Sequence, residues 1–306
     1  MGIHPAHPAP TRPDGLDTET GRAFRGARRL KHFPPCATAL AGQTIARRRM
    51  TPRISVLIST YNDRRFVEKK LREARRQSIF DQAEFLFVET ASPERERELL
   101  RPFCDSHPNC RLLATEDHHT LYAAWNLDWD AARAPLLCNS NMDDAMHPRL
   151  LEHVAAAMER RGWDACSVLI AKQLAADAAL DTWSRSRLAR LPLSLRPGPF
   201  TAWRADLKER FGQFDGRFAV MGDKDFWARL IARRMKFGLV PKVLYLYTKS
   251  PEQLSKGQYY STRREQEEKL LSEKPYPIRW SIRMRNQIVV LRYLRRLFPA
   301  WFIPHE

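Results

Sequence analysis

Two acidic clusters contain the residues of this chain that could do chemistry. The first is Asn141–Asp144, which follows a short apolar segment ending at Cys138. The second lies about eighty residues further on and contains Asp223 and Asp225. Carboxylates at the end of a buried strand are costly unless a cation meets them. A hard divalent metal that carries a phosphorylated ligand would meet the first cluster, and the second could supply a general base.

Alternating strands and helices must position these clusters. Apolar segments predict strands at 54–58, 84–88, 111–115 and 134–139. Helices with one apolar face are predicted at 64–77, 93–104, 121–132 and 148–161. This alternation predicts an α/β fold with a mostly parallel, Rossmann-like sheet and helices on both of its faces.

Ligands of such sheets bind beyond the carboxyl ends of the strands. Three polar segments lie there, namely Thr60–Asn62, Glu89–Ser92 and Asn141–Asp144. The second half of the chain is less regular, with strands predicted at 165–171 and 237–247 and helices at 204–211 and 222–234. The long connection 172–198 has weak signals, and connections of that length are often functional.

Composition favours one large domain with basic ends. The chain has 306 residues, 43% of them hydrophobic, and a net charge of +17. Residues 1–52 contain nine Lys and Arg against three Asp and Glu, and residues 256–306 contain eleven against five, so each end has a net charge of +6. Charge concentrated in two tails argues against one continuous nucleic-acid-binding face and favours contact with an anionic membrane or with solvent.

A basic amphipathic helix is predicted over Trp280–Phe298. Its apolar residues recur every three to four positions and arginines surround them. One interpretation is a helix lying in an anionic membrane interface, with its arginines reaching the headgroups. The other is a helix docked by its apolar face on the preceding domain. The pattern alone fits both.

The chain contains no apolar segment of eighteen residues, so no transmembrane helix is predicted. Five cysteines without a C-x-x-C pair favour reduced thiols in a cytosolic protein. We therefore predict a cytoplasmic protein with peripheral contact at the inner face of the membrane. Met50 directly precedes the first predicted strand, so translation starting at Met50 is an alternative to Met1.

These motifs, in this order, resemble glycosyltransferase family 2, the inverting nucleotide-sugar enzymes with the GT-A fold. The resemblance covers about residues 53–255. Ser55–Asn62 is similar to the opening strand and nucleotide loop, Glu84–Ser92 to the second strand with its acidic uridine contact, and Leu121–Asn126 to the helix before the metal strand. Asn141–Asp144 lies at the D-x-D position. Further similarity to the acceptor-side block lies in Trp203-Arg204, Phe211–Asp215 and Gly222–Arg229.

The chain departs from the family pattern at four places. Asn141 replaces the first Asp of D-x-D, Glu89 replaces the usual Asp, Trp125 replaces an Arg, and Gly222-Asp223 replaces the usual Glu-Asp. The resemblance implies a catalytic domain at 53–255. Composition and periodicity predict a disordered basic extension, 1–52, before it and a basic helical tail, 256–306, after it.

The resemblance also implies roles for particular residues. Asp143 and Asp144 would bind Mg²⁺ or Mn²⁺, and Asn141 would assist on the donor side. Asp223 would be the general base, with Asp225 as the runner-up. The residues implied to bind the donor nucleotide are Thr60, Tyr61, Asn62, Glu89 and Asn126.

Each of these positions also has a structural interpretation. Asn and Asp before a helix commonly cap it, and acids in a first helical turn favour the helix dipole. His118, His119 and His147 are more consistent with surface or structural positions than with metal ligands. Trp125, Trp203 and Trp227 could line an acceptor pocket, but aromatic residues at helical spacing are more often in the core.

The resemblance implies a metal-dependent inverting glycosyltransferase of the hexosyltransferase type, acting in polysaccharide biosynthesis. The donor would be a nucleotide sugar, with UDP as the expected nucleotide, and the acceptor a glycan or a lipid-linked saccharide. The alternative is a non-catalytic basic protein that binds nucleic acid or an anionic polymer. The sequence contains no nucleic-acid recognition motif of the usual kinds, so we do not expect nucleic acid as a partner. A nucleotidyltransferase is disfavoured because Ser59–Arg64 lacks the glycines of a phosphate loop.

Overall fold

The described part of the chain comprises residues 51–174, 183–184, 187–188, 191–194, 198–249, 258–276 and 299–302 of a computed structural model. The predicted N-terminal extension, apart from its last two residues, lies outside this part. The predicted helix Trp280–Phe298 also lies outside the described residues.

Nine strands form one sheet in the described part of the chain, in the spatial order β3-β2-β1-β4-β8-β6-β9-β5, with β7 paired to β6. They are β1 Ile54–Thr60, β2 Ala83–Thr90, β3 Cys110–Thr115, β4 Leu136–Asn139, β5 Ala145–Met146, β6 Ala165–Leu174, β7 Leu193–Ser194, β8 Ala202–Arg204 and β9 Phe237–Lys249. Strands β1 to β4 pair in parallel, and β6 pairs in parallel with β9. Strands β5, β7 and β8 run in the opposite direction. The predicted mostly parallel sheet is confirmed.

Helices cover both faces of the sheet. They are α1 Val67–Arg75, α2 Arg97–Ser106, α3 Leu121–Ala131, α4 Leu150–Arg161, α5 Leu207–Phe211, α6 Gly222–Ala232, α7 Gln258–Ser272 and α8 Pro299–Phe302. Successive residues of a strand point to opposite faces, and both faces of β1 are apolar. Val56 therefore joins the core beneath α1, α2 and α4. Leu57 joins a second core beneath α3, α5 and α6.

The second core is aromatic. Trp125, Trp203 and Trp227 are all buried in it, so the core interpretation of these residues is correct. The ring of Phe214 packs against Trp129 and Phe226, with ring centroids 6.1 and 4.2 Å apart. Large rings add buried area and favourable edge-to-face contacts at low conformational cost. This packing joins α3 and α6.

The structure differs from the predicted elements mainly where strands are short. Ala202–Arg204 pairs between β4 and β6, so the helix predicted from residue 204 begins at Leu207. The two-residue strands β5 and β7 were not predicted, because segments so short have no detectable period. The helix predicted at 64–77 begins as a 3₁₀ turn, Arg64–Phe66, and its α-helical part ends at Arg75.

Asp128 is a buried carboxylate in α3. It has no solvent exposure, and neither of its oxygens makes a hydrogen bond of normal geometry with the described residues. Burial raises the pKa of Asp128 well above its ordinary value. Keeping such a carboxyl protonated in the folded state costs about 1.4 kcal/mol for each pH unit above its unfolded-state pKa, up to the folded-state pKa, and asparagine avoids this cost because it does not ionise. We therefore expect Asp128→Asn to increase the free energy of unfolding by about 1–3 kcal/mol at pH 7, measured by denaturant titration.

The gain should depend on pH in a definite direction. Because the folded-state pKa of Asp128 is raised, the wild type loses stability as the pH rises from the unfolded value toward the folded one. Below the unfolded pKa both states are protonated, so the advantage of Asp128→Asn should disappear there. Asp130→Asn is the control on the same helix, since Asp130 is exposed and its carboxylate contacts the side chains of Lys208 and Gln213 at the surface, both at 2.9 Å. Equal effects of the two substitutions would contradict the prediction.

Two further observations concern the whole described part of the chain. Its cysteines, Cys104, Cys110, Cys138 and Cys166, are free thiols. None of its helices combines the length and hydrophobicity needed to span a lipid bilayer.

Candidate active site at the carboxyl edge of the sheet

The carboxyl ends of β1, β2 and β4 are neighbours, because β1 pairs with β2 on one side and with β4 on the other. The loops that follow β1 and β2 are hydrogen-bonded to each other. The Asn62 N–H donates to Ser92 Oγ at 3.0 Å, and the Asp63 N–H donates to Glu96 Oε1 at 2.6 Å. Asn62 has a φ of +58°, in the left-handed region that Asn tolerates better than most residues. The sheet therefore brings the predicted segments to one edge.

Thr60 is the last residue of β1, and Tyr61 follows it. Thr60 is buried, and its hydroxyl has no hydrogen-bond partner among the described residues. Tyr61 is 41% exposed, and its ring lies 4.2 Å from the ring of His118, centroid to centroid. An exposed aromatic pair at a strand end is a surface on which a nucleotide base can stack. His118 is exposed, as the sequence predicted, and it lies beside Tyr61 at the candidate site.

Glu89, at the end of β2, is buried and already paired. Its Oε1 accepts the Ser92 N–H at 2.5 Å, and its Oε2 forms an ion pair with Arg97 Nε. Arg97 also donates to the Thr115 carbonyl at 3.0 Å. Glu89 thus orders the loop after β2 and holds a guanidinium beside the predicted nucleotide site.

The Asn126 amide makes two hydrogen bonds with the backbone of Phe214. Its Nδ2 donates to the Phe214 carbonyl at 2.8 Å, and its Oδ1 accepts the Phe214 N–H at 3.2 Å. Both ends of the amide are therefore engaged with the backbone of the segment before α6. The predicted nucleotide contact of Asn126 remains a prediction, and the observed role of Asn126 is to join α3 to that segment.

Asp144 is a fully buried residue of the acidic loop, and both of its oxygens are engaged. Oδ2 accepts hydrogen bonds from Tyr245 Oη and Asn141 Nδ2, both at 3.0 Å, and Oδ1 accepts the Thr248 N–H at 2.8 Å. An Asp at position 141 would place a second carboxylate against Asp144, whereas the Asn amide donates to it. The departure from D-x-D at residue 141 therefore has a local physical reason.

Lys70 holds the same loop through contacts of its ammonium group. This lysine of α1 has no solvent exposure. Its Nζ lies 2.9 Å from the Asp144 carbonyl and 3.2 Å from Ser140 Oγ. A buried ammonium needs such partners to offset its lost hydration. Lys70 and Tyr245 together fix the backbone from which Asp143 projects.

Asp143 is half-buried and lies near a second carboxylate, Asp63. Burial, followed by the charge of Asp143, raises the pKa of Asp63 to about 7. A negative charge close to a carboxyl group disfavours its ionisation, and a cation relieves that repulsion. The described residues contain no cluster of three or more His, Cys, Asp and Glu side chains arranged to bind a metal. Asp143 and Asp63 nevertheless fit Mg²⁺ or Mn²⁺ as hard oxygen ligands, because such ions are often completed by substrate phosphates and water.

Asp223 lies on the first turn of α6. Its Oδ1 accepts hydrogen bonds from Tyr122 Oη at 3.2 Å and from the Lys224 N–H at 2.9 Å. Burial raises the pKa of Asp223 above its ordinary value, and the two hydrogen bonds lower it. A carboxylate with a raised pKa suits proton abstraction near neutral pH.

The runner-up Asp225 has different surroundings. It is buried, and its Oδ1 accepts from Tyr276 Oη at 2.5 Å and lies 3.2 Å from Lys274 Nζ. These two donors compete with an acceptor hydroxyl for the Asp225 carboxylate. The geometry therefore favours Asp223.

Contacts connect Asp223 to the end of β4. A Cβ added to Gly198 would lie 2.9 Å from Asp223 Oδ2, so the backbone there lies against the carboxylate. The Gly198 carbonyl accepts a hydrogen bond from Asn139 Nδ2 at 2.8 Å, and Asn139 is the last residue of β4. Asp223 and the acidic loop that contains Asp143 are thus both attached to the carboxyl end of β4.

Gly222 allows α6 to begin in close contact with Tyr122. A Cβ at this position would lie 2.6 Å from Tyr122 Cδ2. Only glycine lets the start of α6 pack this closely on the Tyr122 ring. The same ring presents its hydroxyl to Asp223.

Sequence reasoning missed several residues of this site, among them Asp63, Lys70, Tyr122 and Tyr245. Asp63 had a usable signal, since it is one more acid directly after a strand end. Lys70 and Tyr245 had none, because a lysine on a helix and a tyrosine in a strand are ordinary.

Comparisons with known proteins agree with this arrangement. The sequence model of the family described as Glycosyl transferase family 2 matches residues 55–218. A comparison of the sequence with curated proteins found no match.

Among solved structures, residues 1–349 of TarS from S. aureus, in complex with UDP-GlcNAc, superpose with a TM-score of 0.56 at 16% identity, covering 81% of this chain and 73% of that one. A mannosyltransferase from Pyrobaculum calidifontis, in complex with GDP-Man and Mn²⁺, superposes with a TM-score of 0.53 at 19% identity, covering 82% and 71%. The shared fold is of the GT-A type.

Proposed function

The chain belongs to glycosyltransferase family 2, and from that premise we propose a metal-dependent inverting transfer of a hexose from a nucleotide sugar. UDP is the expected nucleotide, and the acceptor is a glycan or a lipid-linked saccharide. The chain is therefore a glycosyltransferase, which replaces the alternative of a non-catalytic basic protein. The identity of the donor, the identity of the acceptor and the dependence on a metal are our proposals.

One observation carries the proposal. The acidic loop with Asp143 and the base candidate Asp223 are both attached to the carboxyl end of β4, the second through Gly198 and Asn139. A ligand at that edge would meet a site for a diphosphate-bound cation and a site for an attacking hydroxyl. Both are needed for transfer from a nucleotide sugar.

The chemistry is a single displacement. Asp223 accepts the proton of the acceptor hydroxyl as its oxygen forms a bond to the anomeric carbon. The bond from that carbon to the diphosphate oxygen breaks, and its electron pair leaves with the diphosphate. Attack from the opposite side inverts the anomeric configuration. Tyr122 orients the Asp223 carboxylate through its hydroxyl.

Asp143 and Asp63 would hold the metal. When bound, a divalent ion neutralises the charge that develops on the leaving diphosphate. Asn141 and Asp144 contribute the shape of the loop, because their side chains bond to each other. We therefore propose Asp143, ahead of Asp144, as the ligand of the metal.

The donor nucleotide would lie across Thr60–Asn62, with its base against Tyr61. Glu89 and Arg97 border this position as an ion pair. The two solved structures named above are complexes with UDP-GlcNAc and with GDP-Man, so the experiment below compares UDP-sugars with GDP-sugars.

We also propose that the protein contacts an anionic membrane at its cytoplasmic face. The basic C-terminal segment of the sequence supports this proposal.

A thermal-shift screen of UDP- and GDP-sugars with and without Mn²⁺ tests the proposal. We expect one donor to raise Tm, and more so with Mn²⁺, because a ligand at 100 times its Kd stabilises the folded state by about 2.7 kcal/mol. UMP and GMP are matched controls, since they lack the diphosphate that a metal would bridge and their shifts should not depend on Mn²⁺. Absence of any shift with every donor, with and without Mn²⁺, would contradict the proposed donor site.

A further inference from the structure

Helix α7 contributes a buried carboxylate to the segment just before α6. Glu267 is 2% exposed. Its carboxylate accepts hydrogen bonds from three consecutive backbone N–H groups, those of Ala219 at 2.6 Å, Val220 at 3.1 Å and Met221 at 2.8 Å. Three converging N–H groups form a strong site for an anion, and hydrogen bonds to a charged acceptor are about twice as strong as neutral ones.

These N–H groups belong to the residues that lead into Asp223. The carbonyl of Met221 accepts the hydrogen bonds that begin α6, from the Lys224 N–H at 3.0 Å and the Asp225 N–H at 3.3 Å. Glu267 therefore fixes the peptide from which the helix starts. Asp223 is two residues further along the chain.

A second contact lies on the other side of Asp223. Tyr276 and Lys274, just after α7, contact the carboxylate of Asp225 at 2.5 and 3.2 Å. Lys274 also lies 3.1 Å from Asp215 Oδ2. Leu271 packs into the aromatic core beneath α6. Residues 258–276 thus hold the backbone of α6 on both sides of the base candidate.

We propose that Glu267 is a positioning residue for Asp223. It places the first turn of α6 so that the Asp223 carboxylate meets the acceptor hydroxyl. This inference rests on the proposed role of Asp223 as the base. Like Asp223 itself, Glu267 lies outside residues 55–218, which the family model matches, so the proposal adds α7 to the catalytic machinery.

The expected effect separates catalysis from donor binding. Proton transfer needs heavy atoms within about 2.6–3.2 Å, and a misplacement of about 1 Å can cost roughly 10²-fold in rate. Glu267→Gln should therefore lower kcat by about 10- to 100-fold. KM and Kd for the nucleotide sugar should stay unchanged, because the donor residues lie on β1, β2 and β4.

Glu268→Gln is the matched control on the same helix. Glu268 is a neighbouring surface carboxylate that pairs with Arg264 at 2.8 Å, and its loss should not change kcat. Tyr276→Phe is a milder second variant that removes only the hydroxyl on Asp225. It should lower kcat, with an unchanged donor KM, even if Glu267→Gln proves too unstable to assay.

A double-substitution cycle with Asp223→Glu decides whether Glu267 acts through Asp223. That variant keeps a carboxylate but displaces it by one methylene, so adding Glu267→Gln should lower kcat by much less than it does in the wild type. If Glu267→Gln lowers kcat by the same factor in the wild type and in Asp223→Glu, the proposal is overturned. A kcat for Glu267→Gln equal to that of Glu268→Gln would also overturn it.

If Asp223→Asn is fully active, the proposed base itself is wrong. If Asp223→Asn is inactive and both Glu267→Gln and Tyr276→Phe are normal, only the positioning role is wrong.

Discussion

Replacing Asp223 by Asn lowers kcat for glycosyl transfer by about 10²–10⁴-fold, the usual contribution of a general base. The Kd of the nucleotide sugar should stay unchanged, because the proposed base acts on the acceptor hydroxyl and does not bind the donor. The protein also stays folded. Burial raises the pKa of Asp223, so at neutral pH its charge opposes folding and the amide removes that cost. Transfer assays with labelled donor, donor titrations and Tm measurements check the three parts of this prediction.

The pH profile provides an independent check on Asp223. The base must be ionised, so kcat/KM should fall on acidification through an apparent pKa above the ordinary Asp value. Tyr122→Phe removes a hydrogen bond that favours the ionised form, and the fall in activity should then move to higher pH. If Tyr122→Phe does not shift the pH profile, another group is the base.

Asp225→Asn should lower Tm, since it leaves Lys274 without its buried partner.

The second large effect is expected for Asp143→Asn. Metal stabilisation of a leaving group supplies several kcal/mol, so kcat should fall by at least about 10²-fold. The additional Tm increase that Mn²⁺ produces with the donor should disappear. Titration of Mn²⁺ in the presence of donor, followed by thermal shift, measures the loss directly.

Asp144→Asn is the matched comparison for Asp143→Asn. The Asp144 carboxylate bonds to Tyr245, Asn141 and the Thr248 N–H, so its replacement should lower Tm through lost buried hydrogen bonds. Unchanged Mn²⁺-dependent stabilisation in Asp143→Asn, together with its loss in a folded Asp144→Asn, would reverse the roles of the two residues.

The resemblance to family 2 was visible in the sequence because its motifs follow strands whose period is local. Strands β1, β2 and β4 were predicted from apolar segments, and the polar residues at their ends were predicted from position alone. Glu89 and Asn126 show the limit of that reasoning. Their motif positions implied contacts with the nucleotide, whereas the hydrogen bonds to Arg97 and Phe214 depend on residues that periodicity does not pair with them.

The amino-acid sequence by itself determined the α/β class, the order of the main elements and the edge at which the acidic residues gather, since these follow from periodicity and from the direction of parallel strands. Only the tertiary structure decided which carboxylates are held by buried hydrogen bonds and which are placed to bind a ligand. Asp143 and Asp144 are adjacent in the chain, yet Asp144 is buried against Tyr245 and Asp143 lies beside Asp63. Likewise, Glu267 meets the start of α6 across more than forty residues of chain. Burial and long-range hydrogen bonds set these roles, and neither has a local pattern.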